Sequence, residues 1–141
     1  MNYLPWAVVA FLSYSMVAPL MRVATSGTNP IPSNVAALVA NVVLVVATFA
    51  VITVSGEGLM TYLDDPKIGY VVAAGFCLAV GILSYYRALS MGPVSLVAPV
   101  FAMFFVASAA VGIVALDEPV TARKLAGIAL AAVAVVLVAG E

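Results

Sequence analysis

The sequence predicts an all-α, polytopic membrane protein with five transmembrane helices, and three observations carry that prediction. Hydrophobic residues fill 66% of 141 positions and charged residues only 8%, where a soluble domain holds about 25% charged residues. Mean hydropathy is +1.26. The few acids and bases stand between or near the ends of apolar runs that are long enough to cross a bilayer.

The first span runs from Leu4 to about Arg22. Pro5 is tolerated in its first turn, and Tyr3 and Trp6 suit an interfacial aromatic belt. A cleaved signal peptide fits this segment poorly, because no positive stretch precedes the apolar run. Residues 25–33 read as a loop by composition. The second span, from Asn34 to about Val54, has 21 residues, which at ~1.5 Å per residue just covers a hydrocarbon core of about 30 Å. The segment from Ser55 to Lys67 holds Glu57, Asp64, Asp65 and Pro66 and belongs in water. A third span follows from Ile68 to about Ser90, a fourth from Val94 to about Leu116, and a fifth from Ala122 to about Ala139. Gly92 and Pro93 mark a tight turn that stops the third helix and opens the fourth as its antiparallel neighbour. Asp117 to Thr121 is a short loop with Thr121 as the expected N-cap. The whole chain, residues 1–141, is thus expected to form one multi-pass domain of the cell membrane.

Charge excludes several function classes. The net charge is −1, so no basic field exists to draw nucleic acid. Histidine is absent and Cys77 is the single cysteine, which leaves no metal site, no disulfide framework and no expected cofactor. With an odd number of spans the termini lie on opposite faces. Lys67, Arg123 and Lys124 then fall on the N-terminal side and Arg22 and Arg87 on the other. Three against two is almost no bias under the positive-inside rule, which favours either a single orientation set by other features or dual insertion of the chain as an antiparallel homodimer.

The turn Ala88-Leu89-Ser90-Met91-Gly92-Pro93, the proline-bearing helix after it, and the ending Leu116-Asp117-Glu118-Pro119-Val120-Thr121 before the Gly127-led fifth helix resemble the EamA-type domain of the drug/metabolite transporter superfamily. The likeness is strongest over residues 69–140. It implies half of an inverted-repeat transporter fold, because such carriers normally combine two five-helix units around a shared cavity. A second copy or a related partner is then expected to complete this unit. Where the family pattern has an arginine early in its second helix, the nearest residue here is Asn41, so an anion-binding role is not carried over.

Polar groups inside hydrocarbon are costly and usually face a helix neighbour or a wet cavity. Asn34, Asn41, Thr48 and Ser55 recur every seven residues on nearly one face. That stripe is either a cavity wall or a set of interhelical hydrogen bonds. Ser13, Tyr14 and Ser15 fall near the middle of the first span, where Pro19 deprives the Ser15 carbonyl of its helical donor. Pro99 does the same for Ser95 in the fourth span, and both prolines are candidate helix breaks or hinges. Tyr85, Tyr86 and Arg87 form either a substrate grip, through cation–π and charge-assisted contacts, or an interfacial anchor. Phe101, Met103, Phe104 and Phe105 supply packing, lipid contact or an apolar binding wall. Gly127 and Ala131 have the small-xxx-small spacing of a helix-packing interface. Asp117 and Glu118 read as solvated loop residues, and only the resemblance gives Glu118 an alternative role, pairing with Arg123 or Lys124 at the interface.

No span contains an acidic residue, so the membrane carboxylate needed for small-multidrug-resistance proton exchange is missing. The expected function is alternating-access transport of a small, neutral or zwitterionic metabolite by a homodimer in the lipid bilayer. Two alternatives stay open: a lipid-linked-sugar flippase, and a non-transporting subunit that completes a partner's bundle. No nucleophile–base pair exists to support an enzyme.

Overall fold

The computed structural model describes residues 3–140, and seven helices account for its regular structure. Five segments are long and apolar enough to cross a membrane: Leu4–Thr25, Ser33–Ser55, Ile68–Met91, Val94–Ala115 and Ala122–Ala139. In each, 6% or less of the most apolar window is buried within the chain, so the side chains face outward toward lipid or further protein.

The first segment is two helices, α1 (Leu4–Ser15) and α2 (Val17–Thr25). Pro19 has no N–H for the Ser15 carbonyl, and the Met16 amide turns instead to Ser13 at 3.3 Å. Further back, the Ser15 hydroxyl donates to the Leu12 carbonyl, a local bond that bends helices. The helix is interrupted at Met16 as a result.

A loop with Gly27 at φ +101° leads to α3 (Ser33–Ser55), and the Ile31 amide closes it on the Ala24 carbonyl at 3.0 Å. Gly56, at φ +68°, ends α3 in the left-handed conformation that glycine adopts without a Cβ penalty. The polar segment after it is not wholly irregular, since Leu59–Tyr62 forms a single helical turn, α4. Asp65 then accepts from the Lys67 amide at 2.8 Å and opens α5 (Ile68–Met91). Pro93, with ψ 145°, precedes α6 (Val94–Ala115). The glycines with positive φ among the described residues are Gly27 and Gly56, so the stop between α5 and α6 rests on Pro93 and not on a left-handed Gly92. Helix α6 passes through Pro99 without interruption, in contrast to the break expected there, because only the bond to Ser95 in its second turn is lost.

The chain divides between Met91 and Gly92 into two compact units. In the first, α2, α3 and α5 pack on one another, and α1 touches α2. Its core is small: Ala18, Ala37, Tyr85, Tyr86 and Leu89 are buried, with Thr25 as the buried polar residue. Thr25 is satisfied through its own helix, its hydroxyl donating to Met21.

The second unit is the pair α6 and α7 (Ala122–Ala139). Their junction is tightly bonded. The amides of Leu116 and Glu118 both reach the Gly112 carbonyl at 3.2 Å, and Asp117 takes φ +52°, a left-handed value that Asp accepts more readily than most residues. Thr121 caps α7 by accepting from the Lys124 amide, while the Lys124 ammonium binds the Glu118 carboxylate at 2.7 Å. Gly112 is buried because that carboxylate lies on it: a Cβ there would stand 3.1 Å from Glu118 Cδ.

This arrangement sets an order of stability. Glu118→Gln breaks a half-exposed ion pair and is expected to cost at most about 1 kcal/mol. Gly112→Leu must expel the carboxylate altogether and is expected to lower the unfolding midpoint in detergent by more than Glu118→Gln does. Equal midpoints for the two variants would show that Gly112 does not seat the junction.

Candidate binding groove

Between α3 and α5 the first unit leaves a groove of about 460 Å³. Small side chains create it. Gly75 and Ala79 stand one turn apart on the α5 wall, and a Cβ built at Gly75 would meet nothing within 4 Å. The α3 wall carries Asn34, Ala37 and Asn41, and the other lining residues are leucine or isoleucine. No lining residue is charged.

Asn41 is the polar residue set deepest, eight positions after Ser33, or ~12 Å along the helix at ~1.5 Å per residue. It is half-buried, and its Nδ2 donates to the Ala37 carbonyl at 2.8 Å. A carboxamide has two N–H donors and a carbonyl with two lone pairs. That single bond therefore leaves an N–H and the Oδ1 with no partner among the described residues. Asn34, one helical turn from the start of α3, is exposed. The site offers two hydrogen-bonding amides on an uncharged, apolar bed.

The other expected site residues lie elsewhere. Thr48 is exposed and returns its hydroxyl to Leu44 within its own helix. Ser13, Tyr14 and Ser15 are exposed on α1. Tyr85 and Tyr86 do not line the groove. They are core residues, with ring centroids 6.0 Å apart, because the last turns of α5 press against the rest of the unit. Only Arg87, on the opposite flank, is exposed. In the second unit Ser95 is exposed and Pro99 half-buried, and Phe101, Phe104 and Phe105 stack in succession along α6. Gly127 is exposed, with nothing near its missing Cβ, and Ala131 is half-buried.

Sequence reasoning treats Arg22 only as a charge, but the structure gives it a partner. Its Nη1 donates to the Leu89 carbonyl at 2.7 Å, across 67 residues of chain. Leu89 has one of the last four carbonyls of α5, which have no intrahelical donor, and a cation at a helix C-terminus also opposes the helix dipole favourably. The signal was present in the span count, which puts residues 22 and 87–91 on the same membrane face.

The model of the EamA-like transporter family matches residues 1–140. The chain belongs to that family. No curated protein and no solved structure gives a match. As an EamA-like transporter the chain is an integral membrane protein that moves solutes, and the groove beside Asn41 is a concavity of its first unit that carries polar side chains.

If that groove is wet, Asn41→Cys in a Cys77→Ala background should react with a water-soluble maleimide in permeabilised vesicles. Adding Gly75→Leu, whose Cβ has open space around it, should reduce labelling several-fold. Absence of labelling in the parent variant would mean that acyl chains fill the groove.

Proposed function

We propose that this EamA-like transporter binds a small uncharged or zwitterionic metabolite against Asn34 and Asn41 and moves it by alternating access. A second copy, inserted in the opposite direction, supplies the missing wall. The observation that carries this reading is the partly unsatisfied carboxamide of Asn41 in an uncharged groove. A buried amide without partners is destabilising in hydrocarbon, and a solute bearing hydroxyl or amide groups would satisfy it. An ionic solute would meet no countercharge there. The balance of Lys67, Arg123 and Lys124 against Arg22 and Arg87 supports insertion in both directions.

The apolar remainder of the lining favours one second reading, a lipid-linked sugar whose headgroup meets the asparagines while its tail stays in lipid. The two readings separate in reconstituted vesicles. Uptake of soluble neutral metabolites is expected on the first reading, and headgroup exposure of a lipid-linked sugar without soluble uptake on the second. On the first, Asn41→Ala should weaken apparent affinity by roughly 2- to 13-fold, the loss of one hydrogen bond of about 0.5–1.5 kcal/mol. Reporters fused to the C-terminus should give signal from both sides of the membrane. Signal confined to one side would remove antiparallel pairing.

A further inference from the structure

The two halves of the first span are held very differently. Helix α2 is fastened to the unit: Ala18 and Thr25 are buried, Arg22 is half-buried, and its guanidinium grips the end of α5 through the Leu89 carbonyl. The backbone that carries Arg22 is fixed in turn, since the Ser26 hydroxyl donates to the Arg22 carbonyl. Helix α1 has no buried residue at all. Between them the ladder of helical hydrogen bonds is disturbed at two places. Pro19 offers nothing to Ser15, the Met16 amide has shifted to Ser13, and the Leu20 amide lies 3.2 Å from the Met16 carbonyl, where α2 is under way.

A rod with one end fastened, the other end exposed and a defect in between bends at the defect. We infer that α1 is a movable limb that swings about Ser15–Met16, and that Arg22 is the positioning residue that keeps α2 still while it does so. The limb carries Ser13 and Tyr14, so its motion moves hydroxyl groups at mid-membrane depth relative to a stationary α2, α3 and α5. Loss of the Arg22 contact would let the entire first span drift and turn a hinged motion into an undirected one. The inference uses no property of the groove and holds whichever solute is carried.

Cys77, exposed on α5, provides a native labelling position. Spin labels on Cys77 and on either Val8→Cys in α1 or Leu20→Cys in α2, both exposed positions, report the two halves separately. The full chain is measured in lipid nanodiscs, diluted with unlabelled protein so that only pairs within one copy count. The expected result is a broad distance distribution for the α1 pair and a narrow one for the α2 pair. Pro19→Ala, which restores a hydrogen bond, should narrow the α1 pair to the width of the α2 pair. Arg22→Ala should broaden the α2 pair, and Arg22→Lys, which can still donate to Leu89, should restore it. Equal widths in the parent chain, or an α1 pair that stays broad in Pro19→Ala, would overturn the hinge. An α2 pair unchanged by Arg22→Ala would overturn the role of Arg22. If Arg22→Ala does not accumulate as folded protein, the Pro19→Ala comparison still decides the hinge.

Discussion

The bond from Arg22 to the Leu89 carbonyl ties the second half of the first span to the end of α5, across 67 residues of chain. A helix that stops near the membrane surface leaves its last carbonyls without donors, and low-polarity surroundings make that omission costly. Arg22 supplies the donor from another helix, and in doing so it brings α2 against α5 at the level of Leu89, a fully buried residue. Tyr85, Tyr86, Ala18 and Ala37 complete the packing at this end. The groove begins where that packing stops, and Ala37 belongs to both: its side chain lies in the core and along the groove floor, and its carbonyl receives the Asn41 amide.

Much of this architecture can be read from residue order because membrane helices announce themselves through hydropathy, and their ends through proline, glycine and acid. The positions of α3, α5, α6 and α7, and the cap at Thr121, follow from those signals. The break in the first span also has a local cause, Pro19 together with the Ser15 hydroxyl bond and the shifted Met16 amide, whereas Pro99 leaves α6 continuous. The site is less legible. Of the polar stripe at seven-residue spacing, Asn34 and Asn41 line the groove and Thr48 and Ser55 do not, because the stripe extends beyond the neighbour that makes the groove. Asn41 stands opposite the small residues of α5, whereas Thr48 lies past them and bonds to its own helix. Tyr85 and Tyr86 resemble interfacial aromatics by composition and depth. Which flank of a helix meets a neighbour depends on rotation about its axis, which a nearly uniform apolar sequence does not encode. The same uniformity hides Arg22, whose partner is a backbone carbonyl and carries no side-chain signature.

The chain leaves most of its apolar surface outward. Such exposure would be untenable in water, but in a bilayer the lipid covers it without cost, and helix association must come from close packing and polar contacts instead. Gly75 and Ala79 illustrate the other use of small residues: they keep space open, while at Gly127 on α7 a Cβ would meet nothing within 4 Å among the described residues. Small side chains thus shape both the groove and the uncovered faces.

The junction between α6 and α7 bears on how the protein reaches the membrane. Two amides converge on one carbonyl, a threonine caps the next helix, and a lysine and a glutamate neutralise each other, all within thirteen residues, from Gly112 to Lys124. None of these bonds requires any other part of the chain. The last two spans can therefore close on each other as soon as both have been synthesised, so that the translocation machinery releases a ready-made hairpin into lipid and not two separate rods.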